Sequence, residues 1–83
     1  MNSLRKAKLL WQCRRGMLEL DLILGRFAEK QLDLMTETQI DAFEELLTCI
    51  DPELYSWLMG QSTPTNRELA EIVEFIKLQD ISR

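Results

Sequence analysis

The stretch "LMTETQIDAFEELLTCIDP", residues 34–52, decides the fold because it holds both the start and the core-facing pattern of a helix. Thr36 is followed three residues later by Gln39, the spacing of a capping box at a helix N-terminus. Apolar residues then recur at helical spacing, at Ile40, Phe43, Leu47 and Ile50. Asp51 and Pro52 follow as the predicted cap and first position of another helix. The stretch therefore predicts two consecutive helices.

The chain on either side continues this helical pattern, with no repeat, no linker and no alternating run that would indicate a strand. A helix from about Met17 to Gln31 is predicted by a wide apolar stripe of Met17, Leu20, Ile23, Leu24, Phe27 and Ala28. Gly25 within it costs about 1 kcal/mol relative to alanine, so we expect a neighbouring helix to pack closely there. The helix that begins at Asp51 continues to Gly60.

Both ends of the chain predict a helix as well. Ser3 is the expected N-cap of the first helix, which buries Leu4, Ala7 and Trp11 and ends near Arg14 or Arg15, with Gly16 as a left-handed C-cap. Thr65 and Glu68 form a second capping box before the last helix, whose predicted core residues are Leu69, Ile72, Val73 and Ile76. The sequence predicts an all-α fold, a compact five-helix bundle, in one domain over residues 1–83.

Composition argues against an enzyme. The 83 residues contain no histidine, which removes the usual neutral-pH general base. Acidic pairs such as Glu44 and Glu45 are adjacent on a helix, do not face each other, and read as solvated surface. Cys13 and Cys49 are interpreted as reduced, partly buried thiols, with a disulfide between them as the alternative. Two cysteines without histidine are also a poor zinc site, and no phosphate-binding glycine loop occurs.

Charge is distributed unevenly along the chain. The net charge is −4, yet residues 1–15 contain no acid and five basic residues, Arg5, Lys6, Lys8, Arg14 and Arg15. Such a basic pole suits nucleic acid, an anionic lipid surface or an acidic protein patch, or is simply a solvated helix face. The acidic whole disfavours nucleic acid, whose binding depends on phosphate neutralisation. No apolar run is long enough to span a bilayer or form a signal peptide, so we expect a cytoplasmic protein.

The predicted turn at Gly16 places an arginine and a carboxylate at one corner. Arg15 lies at the turn and Glu19 one helical turn later, where they either project together to grip a partner or form a local ion pair. Glu19 and Asp21 also suit the positive end of the second helix dipole, so their presence alone does not establish a function. Residue patterns leave both interpretations open.

Two segments resemble a known family. The string "WQCRRGMLELD", residues 11–21, is similar to the signature of the small succinate dehydrogenase assembly factors, the flavinylation factors of bacteria and mitochondria. Their Arg-Gly-x-x-Glu core falls on Arg15, Gly16 and Glu19. The string "DPELYSWLMG", residues 51–60, resembles the family's Asp-Pro-acidic-Leu-aromatic-x-Trp-Leu element. The resemblance covers nearly the whole chain.

The resemblance implies a five-helix chaperone, not an enzyme, that binds the flavoprotein subunit of succinate dehydrogenase, and often of fumarate reductase, before complex assembly. It implies that the factor promotes covalent attachment of FAD to a histidine of that subunit and holds no cofactor tightly itself. Arg15, Gly16 and Glu19 would form the contact core, with Arg14 and Asp21 as neighbours. Gly16 would serve both the turn and the close approach of the partner. Neither nucleic-acid binding nor membrane insertion is implied.

The chain departs from the resemblance in two places. Many relatives have an acidic pair before the proline where this chain has Ile50 and Asp51, and many have a proline within helix two where this chain reads "LILGRF", residues 22–27. Some members are described as the antitoxin of a toxin–antitoxin pair, so an inhibitory binding protein is the alternative function. No long segment precedes the first predicted helix, which favours a bacterial cytoplasmic protein over a mitochondrial one.

Overall fold

The structure, a computed structural model, describes residues 2–82, with the backbone alone for residues 81 and 82. These residues form five α-helices: α1 (Ser3–Gln12), α2 (Leu18–Gln31), α3 (Glu37–Leu46), α4 (Asp51–Leu58) and α5 (Arg67–Ser82). A short 3₁₀ helix, Leu32–Leu34, joins α2 to α3 and was not predicted. The all-α prediction and the number of α-helices are confirmed. Over the described part of the chain, no helix is long and apolar enough to cross a bilayer.

The core lies where α5 packs against α2, α3 and α4. Its centre is a group of three aromatic rings. The ring centroid of Phe27 on α2 lies 5.2 Å from that of Phe43 on α3 and 5.5 Å from that of Phe75 on α5. The ring planes of Phe27 and Phe75 are nearly perpendicular. Such tilted and edge-on contacts are favourable ring geometries. All four predicted core residues of the last helix are buried, namely Leu69, Ile72, Val73 and Ile76.

The predicted core face of α1 was wrong. Leu4 is 82% exposed and Trp11 69% exposed, whereas Leu9 and Cys13, on the opposite side of the helix, are buried. Apolar residues lie on both sides of this helix, so periodicity alone did not choose between them. The buried side is also the side on which Arg5 and Lys6 meet acidic charges from distant parts of the chain.

Those charges are the acids of α3 and the 3₁₀ helix. Arg5 donates to three carboxylates of α3, those of Glu37, Asp41 and Glu44, at 2.7–3.2 Å. Lys6 binds Asp33 at 2.7 Å, and this hydrogen bond holds the pKa of the Asp33 carboxyl below its ordinary value. Two consecutive residues of α1 are thereby held on the same side as Leu9.

Helix starts were predicted with mixed success. Thr36 and Gln39 form the expected reciprocal capping box, with bonds of 3.2 and 3.0 Å. The first cap is Asn2 rather than Ser3, since the Asn2 Oδ1 accepts from the backbone N–H groups of Leu4 and Arg5. A side-chain amide one residue earlier reaches the free donors of the first turn, and Ser3 becomes the first helical residue.

The same one-residue error occurs at α5. Asn66, not Thr65, caps this helix, because its Oδ1 accepts from the Leu69 N–H at 3.1 Å. The predicted capping box with Glu68 is therefore wrong. At α4 the N-cap is Ile50, which is 61% exposed rather than part of the core, and Asp51 is the first helical residue. The Asp51 carboxylate does not cap α4 but accepts a hydrogen bond from Arg15.

Two further expectations for α2 were wrong. Gly25 is not closely packed by the described part of the chain, since a Cβ atom built there meets none of its atoms within 4 Å. Met17, predicted to be in the apolar stripe, is the N-cap of α2 and is 38% exposed. The rest of the stripe does face inward, because Leu20, Leu24, Phe27 and Ala28 are buried and Ile23 is half-buried.

Candidate partner-binding site

The loop between α1 and α2, residues 13–17, is called the motif loop, and Arg15 holds it against the rest of the fold. Arg15 Nε donates to Asp51 Oδ1 at 2.8 Å, and its Nη1 donates to the Leu47 carbonyl at 2.8 Å and the Gln12 carbonyl at 3.1 Å. Its Nη2 donates to the Cys49 carbonyl at 2.8 Å. The Arg15 side chain is only 17% exposed. The prediction that it projects outward is therefore wrong.

The inward direction of Arg15 has a clear physical cause. Leu47 is the C-cap of α3, and the last carbonyls of a helix lack intrahelical partners and carry the negative end of the helix dipole. A guanidinium satisfies several such acceptors at once and pairs with Asp51 in addition. The motif loop is therefore fixed by the junction between α3 and α4. Arg15 does not form the local ion pair with Glu19 that the sequence left open, because its guanidinium pairs with Asp51.

Asp21 holds the other side of the motif loop. Its Oδ1 accepts from the Arg15 backbone N–H at 2.6 Å, and the residue is half-buried. The carboxylate also lies in the first turn of α2, where the helix dipole favours negative charge. Asp21 thus connects α2 to the motif loop and is directed inward.

Gly16 has the predicted left-handed backbone, with φ of +85°, but it is not a helix cap. Helix α1 ends at Gln12, with Cys13 as its C-cap, so Gly16 lies three residues beyond the cap inside the loop. A Cβ atom at this position meets no atom of residues 2–80 within 4 Å. The backbone angle requires glycine, and the space above it is open to a partner.

Arg14, Gly16 and Glu19 are the predicted site residues that are exposed. Neither the Arg14 nor the Glu19 side chain forms an ion pair within the described part of the chain. Leu18, which sequence reasoning did not single out, lies between them and is 71% exposed. The sequence offered one signal of its exposure. Leu18 and Leu22 are four residues apart and lie outside the apolar stripe predicted for α2. These residues, Arg14, Gly16, Leu18 and Glu19, are called the motif face.

Side chains near this face are poorly suited to covalent catalysis. Burial raises the pKa of the Cys13 thiol to about 12, so it is not a thiolate near neutral pH. Burial also raises the pKa of Cys49, and both cysteines are unbridged. No group of three or more histidine, cysteine or carboxylate ligands for a metal occurs within residues 2–82.

Fold and geometry together describe a small helical protein with an exposed loop surface that Arg15 ties to the junction between α3 and α4. The family model described as "Flavinator of succinate dehydrogenase" matches residues 7–80 of the chain. The protein belongs to this family.

Curated relatives agree over most of their length. The chain is 54% identical to the FAD assembly factor SdhE of Legionella pneumophila strain Lens over 77 residues, which cover 93% of this chain and 96% of the relative. It is 43% identical to FAD assembly factor SdhE of Coxiella burnetii strain RSA 493, covering 95% and 94%.

A solved structure supports the same fold. The solution structure of a UPF0350 protein superimposes with a TM-score of 0.83 at 40% identity, covering 99% of this chain and 87% of that chain. As a flavinylation assembly factor of succinate dehydrogenase, the protein is a chaperone and not an enzyme. Neither the family match nor these relatives support the antitoxin alternative.

Proposed function

We propose that this protein binds the flavoprotein subunit of succinate dehydrogenase before complex assembly and promotes covalent attachment of FAD to a histidine of that subunit. The observation that carries the proposal is the motif face: a loop tied down from inside by Arg15, with Gly16 open and Glu19 unpaired outside. Family membership supplies the chemical context. The whole of residues 1–83 acts as one domain in this role.

The factor contributes positioning rather than a reacting group. Its sequence contains no histidine, and the buried Cys13 thiol stays protonated at neutral pH. The histidine nucleophile and the electrophilic flavin both belong to the partner complex. Holding these two groups in a reactive arrangement converts an improbable encounter into a fast intramolecular step. No tightly bound FAD is required in the factor itself.

The five site residues divide into two roles in this proposal. Arg14, Gly16 and Glu19 contact the flavoprotein: the guanidinium donates to carboxylates or carbonyls, the glycine permits close backbone approach, and the carboxylate accepts from partner donors. Arg15 and Asp21 act as positioning residues, because their bonds to Asp51 and to the loop backbone fix the geometry that the partner meets.

The flavoprotein subunit of fumarate reductase is a second proposed client, since it presents the same chemistry of flavin and histidine. Nucleic acid and membrane insertion have no place in the proposal. The expected location is the bacterial cytoplasm, where the flavoprotein subunit acquires its flavin before assembly.

The test is in-gel flavin fluorescence of the flavoprotein subunit in cells that carry Gly16→Arg or Glu19→Ala. Both substitutions are expected to abolish the covalent flavin signal. Glu19→Ala is the cleaner variant, because Glu19 is exposed and unpaired and its loss leaves the fold intact. The matched control is Glu29→Ala, an exposed carboxylate on the same helix ten residues later. Normal fluorescence with both Gly16→Arg and Glu19→Ala would disprove the assignment of the motif face.

A further inference from the structure

The outward side of α1 carries apolar residues that residues 2–82 leave exposed. Leu4, Ala7 and Trp11 recur at i, i+3 and i+7, which places them on one helix face. All three are exposed, and the exposed fractions of Leu4 and Trp11 are 82% and 69%. These residues are called the α1 stripe. A regular exposed apolar face with a tryptophan is typical of a binding surface rather than of a solvated helix.

The basic residues near the N-terminus fall into two groups, those with an ion pair and those without. Arg5, Lys6 and Arg15 are occupied by carboxylates of the same chain, at Glu37, Asp41, Glu44, Asp33 and Asp51. Among the lysines and arginines of residues 2–82, the ones without an ion pair are Lys8, Arg14 and Lys30. Two of these three, Lys8 and Arg14, lie three residues on either side of Trp11 and are exposed. Free cations therefore flank the α1 stripe.

The α1 stripe is continuous with the motif face through Arg14. The Arg14 backbone N–H donates to the Trp11 carbonyl at 3.0 Å. Their side chains, together with Leu10, line a shallow surface concavity of about 350 Å³. A partner that contacts Arg14 and Gly16 therefore also meets Trp11 at the edge of the same surface.

We propose that the α1 stripe and its two flanking cations are an anchoring surface for the same flavoprotein subunit, docking on an apolar patch of that subunit rimmed by carboxylates. The inference rests on the proposed function and adds a division of labour to it. The α1 stripe supplies affinity, while Glu19 and Gly16 of the motif face act on the flavinylation step. Tryptophan is enriched among the residues that dominate binding energy, and free cations beside it select a complementary acidic rim.

The test measures affinity and flavinylation separately with purified full-length factor and purified apo-flavoprotein subunit. Isothermal titration gives Kd, and covalent flavin fluorescence after incubation with FAD is followed as the factor is titrated. The double variant Leu4→Ser with Trp11→Ser is expected to raise Kd at least about 30-fold, the loss typical of a hot-spot anchor. At saturating concentrations of this variant, flavinylation should return to the wild-type level. Glu19→Ala should fail to restore it at any concentration.

Matched variants separate this result from a loss of folding. Leu78→Ser changes another exposed leucine, on α5, and should leave Kd unchanged. Charge reversal at Lys8, which lies beside the α1 stripe and outside the motif face, should raise Kd without touching the apolar residues, and it provides the test if the serine variant unfolds. Wild-type Kd for both the serine and the charge-reversed variants would overturn the anchoring role and leave the proposed function standing.

Two other outcomes are also decisive. Failure of the wild-type factor to bind the flavoprotein subunit would overturn the proposed function and this inference together. Binding of the wild-type factor to phosphatidylglycerol vesicles, lost in the serine variant while Kd for the flavoprotein stays unchanged, would assign the α1 stripe to a lipid surface and overturn the inference alone.

Discussion

Arg15 and Asp51 are 36 positions apart in the chain and are joined by a 2.8 Å hydrogen bond from Nε to Oδ1. This pair connects the two sequence segments on which the family resemblance rests, residues 11–21 and 51–60. The first segment presents the motif face, and the second provides the carboxylate that holds it from behind. The bond between Arg15 and Asp51 gives a structural reason for both segments to occur in one small protein.

Arg15→Lys should destabilise the protein by about 2 kcal/mol, because a lysine cannot reproduce four bonds from one planar fork to Asp51 and three carbonyls. Urea unfolding followed by circular dichroism measures the change. Arg14→Lys is the matched control, since Arg14 is exposed and unpaired and should change stability by less than about 0.5 kcal/mol. Equal stability of wild type and Arg15→Lys would contradict the positioning role.

Local signals explain how much of the fold the sequence revealed. The start of α3 and the buried stripe of α5 were predicted correctly because each depends on residues a few positions apart. The buried side of α1 was not predictable in this way. That side carries Arg5, whose acidic partners on α3 lie 32 to 39 positions away. Long-range ion pairs of this kind leave no periodic signal in the sequence.

The local geometry of the candidate site was predicted only in part. The turn at Gly16 and the exposure of Glu19 follow from local rules of backbone angle and helix start. The inward turn of Arg15 does not, because three of its four acceptors are backbone carbonyls, which every residue carries. Sequence identifies a side-chain partner by type, whereas a free carbonyl is created only by where a helix ends.

The two glycines of this region should respond oppositely to alanine. Gly25→Ala is expected to stabilise the protein by about 0.5–1 kcal/mol, since the position is helical and a Cβ there meets no atom of the described residues within 4 Å. Gly16→Ala should destabilise it by about 1 kcal/mol, because φ of +85° is unfavourable for any side chain. Thermal unfolding of both variants beside wild type checks the pair. A destabilised Gly25→Ala would reveal a packing contact at that helix face.

The N-cap of α5 offers a direct comparison of neighbours. Asn66→Ala should cost about 1 kcal/mol of unfolding free energy, because it removes the acceptor for the Leu69 N–H. Thr65→Ala, one residue earlier and exposed, should change stability by no more than a few tenths of a kcal/mol. Urea midpoints for the two variants distinguish them. The reverse order of effects would restore the capping box predicted from Thr65 and Glu68.

The two cysteines should differ in reactivity in the folded protein. At pH 8.5, iodoacetamide is expected to modify the half-buried Cys49 and to leave Cys13 unmodified until urea unfolds the chain. Burial protects the Cys13 thiol and raises its pKa to about 12. Peptide mass spectrometry after a timed reaction assigns the adduct to one residue or the other. Rapid modification of native Cys13 would show that the end of α1 opens readily.

The raised pKa of Cys13 also predicts a loss of stability at alkaline pH. The folded pKa, about 12, exceeds the unfolded value of about 8.5, so the folded state holds the proton more tightly. The associated stability is fully present below pH about 8.5 and is lost as pH rises towards 12. Between pH 7.5 and 9.5, the stability of wild type relative to Cys13→Ala should fall by about 1.4 kcal/mol. Paired urea unfolding curves at the two pH values measure this difference, and comparison with the alanine variant cancels the titration of other groups. A constant difference would show that the thiol ionises as readily in the folded chain as in the unfolded one.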